Sequence, residues 1–210
     1  MSPHTTLHAP GRGVAVVTLA VVAALFMAAC TAVDQGTPNA TADGGPVAPQ
    51  TDMLADYGLA GFDARQVIDT LDAVAVADRS GTLMASVRPN ELLVSDDQGR
   101  ETSLAMPDDV FYVSVAPYVD QTHDCYFHSL TTCKGEIRNA DVRVVVTDKA
   151  TGETLIDETR TTFDNGFVGL WLPRNIDATI TITYDGRSAT TDLSTRTDED
   201  ATCVTTMRLT

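Results

Sequence analysis

From residue 142 to its end the chain reads as a run of short segments rich in Val, Ile and Thr, interrupted at regular intervals by turn residues. The segments fall at 142–147, 154–161, 166–172, 178–184, 187–193 and 203–209. Between them lie Lys149-Ala150-Thr151-Gly152, Asp164-Asn165-Gly166, Pro173-Arg174-Asn175 and Asp185-Gly186. β-Branched side chains lose rotamer freedom against a helical turn and pack well on a pleated surface. Alternating with Gly, Asn and Asp turns, they specify an antiparallel, sandwich-like β domain. Trp171, between Leu170 and Leu172, belongs in such a framework as core or rim packing.

Helical periodicity is confined to 52–87. Thr51 or Asp52 caps a helix carrying Met53, Leu54 and Tyr57, and Asp63 caps a second with Val67, Ile68 and Leu71 on one face. Leu83, Met84 and Val87 predict a third short helix, closed by Arg88-Pro89. A hairpin follows at 91–95 and 101–106, then an apolar strand at 110–115. The fold class is therefore α+β, with a small N-terminal α+β unit (51–120) followed by an antiparallel β-sandwich-like C-terminal domain (121–210).

Upstream, residues 1–29 have a weakly basic start and an uncharged apolar run, ending Met27-Ala28-Ala29 before Cys30. This is the pattern of a lipoprotein signal peptide, with Cys30 as the lipidated residue after cleavage. Residues 30–50 are rich in Gly, Pro, Ala and Thr and nearly free of large apolar side chains, so they read as a flexible tether. The expected location is the outer face of the cytoplasmic membrane, lipid-anchored, or the periplasm. The formal net charge of −15 argues against nucleic acid or an anionic membrane surface as partner, leaving a lipid anchor as the only membrane attachment.

The chemistry is concentrated in one stretch, His123-Asp124-Cys125-Tyr126-Phe127-His128-Ser129-Leu130-Thr131-Thr132-Cys133. It holds both histidines and two of the three cysteines that lie beyond Cys30; the third is Cys203. Cys133 follows Cys125 by eight positions, which lets the two thiols approach in an extended or a turned conformation. His128 joins them only if the segment turns. Soft thiolates select Cu(I). Three of them with imidazole could also hold zinc, but the tight Cys-x-x-Cys pairs usual for zinc are absent, so zinc is the weaker reading. Candidate metal ligands are Cys125, Cys133, Cys203, His128 and His123, with Met207 as a further soft donor or simply core. Export equally permits a structural disulfide, Cys125–Cys133 or Cys133–Cys203. Redox chemistry is a third reading, as a thiol-dependent Cu(II) reductase or disulfide-exchange protein. There is no Cys-x-x-Cys, Gly-rich phosphate loop, Gly-x-Ser-x-Gly or His-Glu-x-x-His to support a more familiar enzyme.

The 123–133 stretch, Thr162-Phe163-Asp164-Asn165-Gly166-Phe167 and Cys203 together resemble the CueP family of exported copper-binding proteins. So do Tyr57-Gly58-Leu59, residues 63–71 and Leu83-Met84-Ala85-Ser86. The resemblance covers about residues 53–210. It implies a periplasmic Cu(I)-binding protein that buffers copper, supplies copper-zinc superoxide dismutase and reduces Cu(II) through its thiols. It also implies that the functional cysteines are Cys125, Cys133 and Cys203, and that an N-terminal domain serves in homodimer contact.

Overall fold

The computed structural model describes residues 50–210, so the leader, Cys30 and most of the tether lie outside the described residues. Two helices, α1 (Gln50–Asp56) and α2 (Ala64–Asp72), and a 3-10 turn at Val76–Asp78 precede ten strands. The strands are β1 (Leu83–Val87), β2 (Glu91–Asp96), β3 (Glu101–Ala105), β4 (Val110–Val115), β5 (Asp141–Asp148), β6 (Thr154–Thr161), β7 (Val168–Pro173), β8 (Asp177–Tyr184), β9 (Arg187–Ser194) and β10 (Cys203–Val204). They form three sheets, ordered β1-β2-β3, β10-β4-β7 and β6-β5-β8-β9. Every pairing is antiparallel except β10 with β4, which is parallel. The protein is thus β-rich and mainly antiparallel.

α2 begins where the sequence places it. The Asp63 carboxylate accepts from the Gln66 amide, and the Gln66 side chain accepts from the Asp63 amide, a reciprocal capping box. The expected third helix is instead strand β1. Leu83, Ala85 and Val87 are buried while Met84 is 49% exposed, so the segment follows a two-residue period and pairs along its length with β2.

Two large apolar cores fill the fold, with a small third cluster around the cysteines. The larger lies between the sheets, where Phe111, Val113 and Val115 of β4 and Leu170 and Leu172 of β7 meet Val142, Val144 and Val146 of β5 and Ile180 and Ile182 of β8. The smaller gathers Val67 and Ile68 of α2 with Ala85, Val87, Leu92 and Val94 of the first sheet. Burying each such side chain contributes about 1.5–3 kcal/mol. Strand β4 serves both, because Tyr112 on its opposite face belongs to the helical core. β4 precedes residue 120 yet pairs with β7 and β10 beyond it, so the two expected units share a sheet. Trp171 packs at the rim, its ring 4.8 Å from that of Tyr112 and its Nε1–H donated to Asp69. Met207 sits in the larger core.

Candidate metal centre

The cysteine-bearing loop is positioned by backbone contacts from three directions. The amide of Val87 at the end of β1 donates to the His128 carbonyl, and the Leu130 amide donates to the Ala85 carbonyl. On the other side the Tyr126 carbonyl accepts from the amides of both Thr202 and Cys203. The Thr202 hydroxyl accepts from the His128 amide and donates to the Val87 carbonyl, locking strand, loop and C-terminal segment at one point. From below, the turn at 163–167 closes against the loop. A Cβ on Gly135 would lie 2.6 Å from the Gly166 carbonyl oxygen, and Gly166 has φ +80°, so both positions require glycine.

Within the loop Ser129 makes the turn on which the sequence reading depends. Its carbonyl accepts from the Cys133 amide, and its hydroxyl accepts from the Thr132 amide. One turn carries Cys133 back towards Cys125, placing their sulfurs 3.3 Å apart. That is far beyond the ~2.05 Å of a disulfide, and the three cysteines among the described residues are free. Cys203, held on β10 opposite Ser114, brings its sulfur 3.8 Å from His128 Nδ1.

The five sequence-derived donors assemble as two overlapping groups. His123, Cys125 and Cys133 form one, and His128, Cys133 and Cys203 the other, with donor atoms within 4.8 Å of one another in each. Cys133 belongs to both. The first group lines an open cleft of about 870 Å³ that also includes Asp124, Lys134 and Arg138. The second is buried throughout and is walled by Phe167, whose ring centroid lies 4.7 Å from that of His128.

Sequence reasoning did not find Asp72, Asn165, Tyr112 or Arg79. Asp72 ends α2 and is 0% exposed, and its Oδ1 lies 3.0 Å from His128 Nε2. Asn165 Nδ2 donates to the same oxygen, while the Tyr112 and Ser114 hydroxyls donate to the other. Arg79 donates from Nη1 to the Cys133 carbonyl at 2.8 Å, and its Nε and Nη2 are buried without partners. The one available signal was Asp72 itself, an acid at the end of a helix where the dipole favours a cation.

These contacts set the electrostatics. Burial pushes the Asp72 carboxyl up, but the His128 charge and the hydrogen bonds from His128, Tyr112 and Asn165 outweigh it and hold the group below its usual range. Burial pushes His128 down, yet Asp72 opposite raises it well above an ordinary imidazole. Among the sulfurs, hydrogen bonds from Cys125 and then Cys203 hold Cys133 below the usual thiol range against the opposing effect of burial, with help from His128. Cys203 is pushed up by its bonds to Cys125 and Cys133 and by burial. Cys133 is therefore biased towards thiolate and Cys203 towards thiol. At the cleft wall, His123 Nε2 is buried with no hydrogen-bond partner, on a ring that has a nitrogen within 4.8 Å of the Cys125 and Cys133 sulfurs.

The family model of the periplasmic copper-binding protein CueP matches residues 66–208. The chain belongs to the CueP family. The crystal structure of S.CueP is 36% identical and superimposes with a TM-score of 0.72, the match covering 79% of this chain and 100% of that one. No curated protein matches the chain. The CueP match takes in all five donor residues and Asp72. Among the described residues no helix is long and apolar enough to cross a membrane.

Proposed function

We propose that this protein binds one Cu(I) ion through Cys125, Cys133 and Cys203, with His128 and His123 as flanking nitrogen donors, and so buffers copper outside the cytoplasm. The observation that carries this reading is the convergence of three free thiols and two imidazoles from distant parts of the chain, within 4.8 Å in each group. Three sulfurs suit a soft monovalent ion, and the unpartnered His123 nitrogen is supplied with a partner when metal binds. Zinc remains the poorer fit to a sulfur-dominated set on an exported chain. Lipidation at Cys30 would hold the copper site at the membrane surface, from which copper passes to copper-zinc superoxide dismutase or another acceptor.

Competition between the reduced protein and a Cu(I) chelator tests this. Tight binding of one equivalent is expected, and loss of that binding in the Cys125→Ser, Cys133→Ser, Cys203→Ser triple variant. A triple variant that still competes as well as the wild type would remove the basis of the proposal.

A second reading is favoured by the 3.3 Å approach of Cys125 and Cys133. Two Cu(II) ions would each accept one electron as the pair loses two protons and closes to a disulfide, yielding two Cu(I). Adding Cu(II) to the reduced protein would then consume two thiols for every two Cu(I) formed. Unchanged thiol content after Cu(I) appears would exclude it.

A further inference from the structure

Resting on the copper reading above, we propose that Asp72 is a positioning residue of the metal site, whose carboxylate holds the His128 ring with Nδ1 facing the sulfurs. Nothing in α2 itself calls for an acid at its last residue. The carboxylate there has lost its hydration and faces the negative end of the helix dipole. It is nonetheless fully partnered by groups from three other segments. Asn165 Nδ2 donates to Oδ1 at 2.7 Å and to the Asp72 carbonyl at 3.2 Å. The Tyr112 hydroxyl and the Ser114 Oγ, at 3.2 Å, both donate to Oδ2. The carboxylate plane is thereby fixed, and Oδ1 is directed at His128 Nε2, 3.0 Å away.

His128 has little other freedom. Its amide and carbonyl are both engaged, by Thr202 and Val87, and its ring lies against Phe167. With Nε2 committed to Asp72, the nitrogen left for the cysteines is Nδ1, 3.8 Å from Cys203 Sγ. Sulfur and imidazole nitrogen bound to one ion at lengths of roughly 2.3 and 2.0 Å are separated by about 3.5–3.7 Å at tetrahedral to trigonal angles, so the observed spacing fits a shared ion. A carboxylate on the distal nitrogen of a ligating histidine fixes its tautomer and orientation. Asp72 stands in that relation to His128, although it lies more than fifty residues upstream and outside the cleft.

The test compares Asp72→Asn, His128→Ala and the double variant by Cu(I) chelator competition, with ring-nitrogen NMR of His128 in the loaded protein. Asp72→Asn is expected to lower Cu(I) affinity about 10–100-fold. The double variant should bind no more weakly than His128→Ala alone, because Asp72 acts only through that ring. In the wild type the spectrum should show Nε2 carrying hydrogen and Nδ1 metal-shifted, a signature lost in Asp72→Asn. Should Asp72→Asn fail to fold, Tyr112→Phe keeps the charge while releasing one oxygen, and a severalfold loss of affinity is expected. Unchanged affinity in a folded Asp72→Asn or Tyr112→Phe variant would overturn the proposal, as would an equal loss from Asp72→Asn in the His128→Ala background. Wild-type behaviour of the triple cysteine variant would instead overturn the copper reading itself, so the two failures are distinguishable.

Discussion

The two halves of the cysteine cluster use the same residue types in opposite surroundings. His123 and Cys125 are half-buried and line an open cleft, and His123 Nε2 has no partner. His128 and Cys203 are buried, and His128 is tied through Asp72 to β4, α2 and the 163–167 turn. Cys133 stands between them, belongs to both groups and is held below the usual thiol range. An imidazole at the cleft can exchange partners at little structural cost, whereas the inner one is part of the scaffold. The same chemical set thus divides into an accessible side and an anchored side, and several measurements can break or sharpen that division.

The largest contrast is expected in stability. His128→Ala leaves the buried Asp72 hydrogen-bonded to Tyr112, Ser114 and Asn165 but without its countercharge, and should destabilise the metal-free protein by roughly 3–5 kcal/mol. His123→Ala should stay within about 0.5 kcal/mol. Urea unfolding of both variants checks this, and equal losses would erase the distinction. Next, Cys133→Ser should cost at least about a hundredfold in Cu(I) affinity, above the range expected for changes outside the ligand shell. It should exceed the loss from Cys125→Ser or Cys203→Ser, since Cys133 alone belongs to both donor groups. Chelator competition ranks the three.

A smaller effect is expected in thiol reactivity. Cys203 is 3% exposed and its proton is held, so it should alkylate at least about tenfold more slowly than Cys125. Mass spectrometry of partly alkylated, metal-free protein reads the order, and early modification of Cys203 would count against a sealed inner half. The mildest effect is in pH. His128 is raised in the folded state from an unfolded value of about 6.5. The stability it contributes is therefore complete below about pH 6.5 and fades as pH rises through the folded value. Asp72 is lowered, so its contribution is present above its unfolded value and fades only as pH falls through the lower folded one. The stability difference between wild type and His128→Ala should shrink on the alkaline side; a difference that grew there would contradict the assignment.

Much of this arrangement could be read from the chain. The strands from β4 to β9 fell where β-branched alternation and turn residues put them, and Asp63 announced the start of α2. The donor set was legible because no cysteine or histidine beyond Cys30 lies elsewhere. The segment at 83–87 was misread because Leu83, Met84 and Val87 satisfy a helical spacing; counting the small apolar Ala85 restores the two-residue alternation that the structure follows. β10 is two residues long rather than seven, and its parallel pairing with β4 leaves no mark in a local pattern. Asp72 was missed for the same reason. Its role comes from what the fold brings to it from β4, the 123–133 loop and residue 165, not from its neighbours in sequence.

The parallel seat of β10 beside β4 has a consequence for the order of events as the protein is made. The sulfur of Cys203 is brought into place only when β10 docks beside β4, a strand synthesised some ninety residues earlier. A chain in which β10 has not yet docked therefore lacks the Cys203 sulfur beside His128. On the proposed copper reading, loading would therefore double as a check that this strand has found its place.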